Sequence, residues 1–255
     1  MGTTAGKLLC TDEQALRATV AAPPSAVKSL LEGAPTGAPA ARAEIWLQSA
    51  VSGALSNPHQ ELISAIQDLH RRGWCDGTGG NFSVVLERDP LSLLMAPSGV
   101  DKGQVEAEML ITVNAKGEVA EGTGRASAET LMHLTIVKAL ASGAVLHTHS
   151  TTATLLSKLA QEHGVMELEG WEMLKGLQGI TTHETKVQIP VVGNDQDLQR
   201  LSSTCEPLLS TAPHGLLVAG HGLYAWGKTL SEARRHVEIL EFLLELHWKQ
   251  LLINH

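Results

Sequence analysis

Ala144-Val145-Leu146-His147-Thr148-His149-Ser150 follows Gly143 and runs an apolar segment straight into two histidines spaced two apart. The segment reads as a buried strand. Side chains on a strand repeat every two residues, so His147 and His149 are expected on one face. Two imidazoles at one end of a strand have the spacing to bind one divalent ion. Neutral imidazole is the commonest zinc ligand, and a catalytic zinc takes three protein ligands with a fourth position open. The plainer alternative is a histidine pair that caps the strand with hydrogen bonds.

Working outward, a short helix is expected over residues 151–159, and a helix opening at Ser127-Ala128-Glu129-Thr130 leads into the strand. Ser127 is a plausible cap, and Leu131, Leu134, Val137 and Lys138 recur at helical spacing. Backbone N–H groups at such a terminus favour an anion, so it can hold a phosphate or place Glu129 beside a cation. Further upstream, Asn57-Pro58-His59-Gln60 is a capping box with proline at the first helical position. Leu62, Ile63, Ile66 and Leu69 follow it with helical period, and Gly73 ends it. Asp76-Gly77-Thr78-Gly79-Gly80-Asn81-Phe82-Ser83 is a glycine-rich turn whose backbone can approach an anion, followed by a strand at 84–87. A second strand at 91–96 ends in Pro97-Ser98-Gly99-Val100-Asp101-Lys102-Gly103, and residues 109–113 and 117–121 form a hairpin.

Downstream, Glu172 sits between Trp171 and Met173. An apolar setting there would raise its pKa and suit it to acid–base work; an exposed helical glutamate is the alternative. Residues 185–192 read as a strand, and residues 216–219 as a buried strand running into Gly220-His221-Gly222. His221 is either a third metal ligand or a surface turn residue. Thr229-Leu230-Ser231-Glu232 is a capping box that opens a long amphipathic helix.

The 255 residues are 43% hydrophobic and 18% charged, which suits a globular chain with a sizeable core. A net charge of -8 argues against non-specific nucleic-acid binding, but not against a small anion in a local pocket. Cys10, Cys75 and Cys205 are odd in number and far apart, which points to a reducing, cytoplasmic setting. No apolar run is long enough for a membrane span, and no secretory signal is apparent. Residues 1–50 are rich in Ala, Pro and Gly and are expected to be a loosely structured extension with at most short helices, as at 27–31; residues 51–255 are expected to form the globular domain.

Gly77-Thr78-Gly79-Gly80-Asn81-Phe82-Ser83, Ser98-Gly99, Ser127-Ala128-Glu129-Thr130, His147-Thr148-His149-Ser150 and Gly220-His221-Gly222 occur in an order that resembles the class II aldolase/adducin family. The resemblance covers about residue 55 to the C-terminus. It implies an α/β fold, a three-layer α/β/α arrangement with a mostly antiparallel central sheet, in homotetramers with sites near subunit interfaces. It also implies one Zn2+ per chain on His147, His149 and His221, and a phosphorylated sugar substrate held by Asn81, Ser98, Gly99 and Ser127. Aldolases of the family often carry a second serine where Ala128 stands. Glu129 matches their catalytic glutamate. The segments Glu169 to Lys175 and Thr181 to Thr185 resemble instead a dehydratase branch, in which the acid–base role falls to Glu172. The alternatives are an aldolase or epimerase using Glu129, and a non-catalytic assembly module, which would have no need of three convergent histidines.

Overall fold

The computed structural model describes residues 57–253. The extension at 1–50, the short helix expected at 27–31 and Cys10 lie outside the described residues.

Helix α1 (Pro58–Arg71) packs Leu62, Ile63, Ile66 and Leu69 inward, as its spacing predicts. Strands β1 (Asn81–Arg88), β2 (Leu91–Met95), β3 (Ile111–Asn114) and β4 (Val119–Glu121) follow as an antiparallel meander. Helix α2 (Thr130–Leu140) returns the chain to β5 (Ala144–Thr148), which pairs with β1. Then come α3 (Thr151–Leu159), β6 (Val165–Leu168), β7 (Val187–Val192), α4 (Leu198–Cys205), β8 (Gly215–Val218), β9 (Gly222–Gly227) and the long α5 (Leu230–Ile253). The nine strands form one sheet in the order β4-β3-β2-β1-β5-β9-β8-β7-β6. Every pairing is antiparallel except β7 with β8.

The strands alternate their side chains between two cores. Phe82, Leu94, Leu146, Leu217, Leu223 and Ala225 face α1, α3 and α5. Leu93, Met95, Val145, Leu216, Tyr224 and Trp226 face α2 and α4. Helices therefore cover both faces of a mostly antiparallel sheet, giving the three expected layers.

Sequence and structure part company at several element ends. The α2 helix begins at Thr130; Ser127 instead accepts the Glu129 N–H at 3.3 Å, in a turn before the helix. In α2, Leu131 is only half-buried and Lys138 exposed, while Met132, His133 and Ile136 join Leu134 and Val137 inside, because the helix packs along a wider stripe. The box at α5 forms with one substitution of donor: Thr229 accepts the Glu232 N–H, but the Glu232 carboxylate accepts from the Lys228 N–H. Two elements, β6 and α4, were not expected from sequence. Asp197 caps α4 by accepting from the Gln199 and Arg200 N–H groups, and Leu198, Leu201 and Cys205 are its apolar positions. That cap and spacing were available as a signal. Among the described residues no helix is long and apolar enough to cross a membrane.

A candidate metal centre at one end of the sheet

The β5 strand ends at Thr148, and His147 and His149 straddle that end. The tight turn between β8 and β9 brings His221 to the same end, because β5 and β9 are antiparallel neighbours. Glu129, just before α2, completes the group: one ligand atom from each of Glu129, His147, His149 and His221 lies within 4.8 Å of the others. His147 Nε2 is 2.8 Å from His149 Nε2 and 3.3 Å from His221 Nε2. Glu129 Oε1 is 2.9 Å from His221 Nε2 and 3.6 Å from His147 Nε2.

These separations suit a shared cation. Ligand atoms bound tetrahedrally at about 2.0–2.1 Å lie roughly 3.3 Å from one another. The donor set of three imidazoles and a carboxylate is that of a divalent transition metal. His147 is held in the ligating tautomer, since its Nδ1 lies 2.9 Å from the Leu223 carbonyl oxygen and donates to it, leaving the Nε2 lone pair free. Tyr224 stacks on the other side of that ring, with centroids 3.8 Å apart and planes 8° from parallel. The backbone N–H of His149 donates to the Trp74 carbonyl at 2.7 Å.

Two glycines let the backbone come this close. A Cβ on Gly222 would run into the Thr148 carbonyl and crowd the His147 ring. A Cβ on Gly79 would lie 2.9 Å from His149 Nδ1. The glycine-rich turn is thus packed against the histidine it precedes in the fold.

Electrostatics keep the ligands in their binding forms. Burial and the neighbouring His147 and His221 push His149 down to about 3, so it is neutral near pH 7. Burial opposes ionisation of Glu129, but its contacts with the His147 and His221 imidazoles outweigh it and hold the carboxyl well below the usual carboxylate range. The Asn81 amide also donates to Glu129 Oε2.

The other expected site residues divide. Ser98 and Ser127 line a cavity of about 680 Å³ together with Arg125, Asn194, Glu129 and His221, so the cavity opens onto the candidate metal centre. Asn81, expected at the phosphate, donates its side-chain amide to Glu129. Gly99 has the left-handed φ of 78° of a turn residue and is not in the cavity wall.

Of the two settings open to Glu172, the structure has the exposed one, in a 3-10 turn. Its side chain is 71% exposed, pairs with Lys175 and lies 3.8 Å from His183. The Lys175 hydrogen bond, outweighing what little desolvation there is, lowers its pKa rather than raising it. The physical reason is local: in the 3-10 turn from Glu172 to Gly176 only Leu174 is buried, and Met173 is itself exposed, so no apolar pocket forms. Strand direction adds a larger separation. β6 runs antiparallel to β7, β7 parallel to β8, and β8 and β5 both antiparallel to β9. The chain leaving β6 towards Glu172 therefore emerges at the opposite end of the sheet from the histidines.

Cys75 and Cys205 are buried free thiols, each pushed up to about 12 by burial, so neither is a thiolate ligand or nucleophile.

The match to the class II aldolase and adducin N-terminal domain spans residues 60–248, and the chain belongs to that family. Within it, the chain is 44% identical over 187 residues to a methylthioribulose-1-phosphate dehydratase of Xanthomonas campestris pv. campestris (strain 8004), covering 72% of this chain and 85% of the relative. It is 41% identical over 198 residues to the methylthioribulose-1-phosphate dehydratase of Pseudomonas aeruginosa (strain LESB58), covering 76% and 95%. Among solved structures it resembles an L-fuculose 1-phosphate aldolase, with a TM-score of 0.65, 25% identity, and coverage of 79% of this chain and 89% of that one.

Proposed function

We propose that this enzyme is a zinc-dependent hydro-lyase that converts 5-methylthioribulose 1-phosphate to 2,3-diketo-5-methylthiopentyl 1-phosphate and water, a step of methionine salvage. The observation that carries the reading is the convergence of His147, His149, His221 and Glu129 at a cavity that Ser98, Ser127 and Arg125 also line. The dehydratase relatives select the reaction.

His147, His149 and His221 would hold the ion, which when bound supplies Lewis-acid polarisation of the substrate ketone. The remaining work falls to the chain. Dehydration takes a proton from C3 and expels the C4 hydroxyl as water; the enol so formed tautomerises to the diketone. Hydroxide is a poor leaving group, so an acid must give it a proton. Ser98 and Ser127, with the Arg125 guanidinium beside them, offer donors for the phosphate, with Asn81 and Gly99 as expected further members of that subsite. Glu172, which Lys175 holds ionised, is the proposed acid–base: its carboxylate takes the C3 proton and then gives it to the departing C4 oxygen, which leaves as water. Because it lies at the far end of its own sheet, it would serve the metal centre of a partner subunit, in keeping with the tetramer the family resemblance implies.

A second reading has its own observation: Glu129, and not Glu172, stands beside the ligands within one chain. It favours a proton shuttle through Glu129 and the chemistry of an aldolase or epimerase. Incubating the purified enzyme with 5-methylthioribulose 1-phosphate separates the two. Appearance of the diketone is expected; cleavage to two shorter carbonyl compounds, or epimerisation without loss of water, would establish the second reading.

The extension at 1–50 lies outside the family match, and a cytoplasmic enzyme lacking it is expected to keep near-normal turnover. The check is kcat of the truncated protein; a soluble but inactive product would assign the extension a part in the site or the assembly.

A further inference from the structure

Glu241, in the middle of α5, is a carboxylate with 3% exposure in the apolar layer behind the sheet. Its oxygens accept two hydrogen bonds, one from Thr148 Oγ1 at 2.6 Å and one from Ser150 Oγ at 2.5 Å. Those two hydroxyl residues alternate with His147 and His149. On β5, His147 turns towards Tyr224 and the α2 side, whereas Thr148 turns to the opposite face and meets α5. Ser150 also caps α3, accepting the Ala153 N–H at 3.0 Å. One carboxylate thus grips the chain at two points where it passes from strand to helix, and the histidines project from that passage.

Burying a carboxylate is costly, and replacing one by an apolar side chain of similar volume often leaves stability unchanged or better. A charge kept in such a place needs a reason other than packing. Burial raises its pKa to about 7 even against the two hydroxyl donors. Among the described residues no Lys or Arg pairs with it; its carboxylate partners are the two hydroxyls.

We infer that Glu241 is a positioning residue for the metal centre: by clamping Thr148 and Ser150 from behind, it sets the register in which His147 and His149 converge. It touches neither ion nor substrate. Metal ligands depend on partners that orient them, and loss of such a partner typically costs about 10–100-fold in metal affinity.

The test is metal binding, read apart from catalysis. Enzyme stripped with a chelator is titrated with Zn2+ against a competing chromophoric chelator, and the visible spectrum of the Co2+-loaded protein is recorded. Glu241→Ala is expected to weaken Zn2+ binding by about 10–100-fold and to alter the Co2+ spectrum, with circular dichroism unchanged. Thr148→Val, which removes one donor at nearly constant shape, is expected to reproduce part of the loss. The double variant is expected to be no worse than Glu241→Ala alone, because both changes remove the same contact. Glu241→Gln, which keeps an acceptor for Thr148, is expected to recover much of the affinity. Should Glu241→Ala not fold, Thr148→Val decides. Wild-type affinity and spectrum in that variant, or strictly additive losses in the double variant, would overturn the assignment.

Discussion

Replacing His147 with alanine is expected to remove the metal and the activity together. His147 is fully buried, central to the group, and within 3.6 Å of a ligand atom on each of the other three residues. Its loss leaves two histidines at the edge of the cluster and a carboxylate, with no nitrogen at the centre. Metal content should fall from about one ion per chain to near zero, with turnover below detection. Elemental analysis of protein purified without chelators is the measurement. Full occupancy in the variant would mean that the ion, if any, sits elsewhere. The fold should survive, because His147 contributes one imidazole to a sheet held by long apolar cores on both faces.

The second large effect concerns Glu172. Glu172→Gln removes the titratable proton at constant shape, and general acid–base catalysis is worth about 10²–10⁴-fold, so kcat should fall by that factor with zinc content unchanged. Glu129→Gln is the control. It should disturb the metal centre itself, because Glu129 holds His221 and Asn81. The opposite placement of Glu172 and the histidines yields a sharper outcome. His147→Ala and Glu172→Gln chains on their own are expected to have at most residual activity, whereas assemblies of the two co-expressed are expected to recover about a quarter of normal activity, from the sites that draw an intact half from each copy. No recovery, with a near-normal rate for Glu172→Gln alone, would pass the acid–base role to Glu129.

The parts legible in the sequence were those whose signals are local. The His147 and His149 spacing fixed a shared end of β5, the Gly220-His221-Gly222 turn delivered the third imidazole, and the capping pattern at Thr229 placed the start of α5. What the sequence could not carry was set by contacts between distant residues. Glu241 is 93 positions from Thr148, and Tyr224 meets His147 only because β9 pairs with β5 in one register. Glu129 joins the cluster through the packing of α2, although its place at a helix start hinted at a nearby cation. At Glu172 the sequence left two settings open, and the 3-10 turn decides between them: it buries only Leu174, so Trp171 and Met173 make no apolar pocket.

Three successive residues of β9 attend to the His147 ring, each by a different means. Gly222 gives it room, Leu223 takes its Nδ1 proton in a hydrogen bond, and Tyr224 lies flat against it. A side chain ordered only by a ligand surrenders its rotameric freedom at the moment of binding. Here that freedom is already spent when β9 pairs with β5. The His147 ring is thus placed by folding, unlike the ligands of small zinc domains in which the ion drives the chain to fold. A metal bound there would find this nitrogen already aimed, and could be exchanged without the pairing of β9 with β5 being remade.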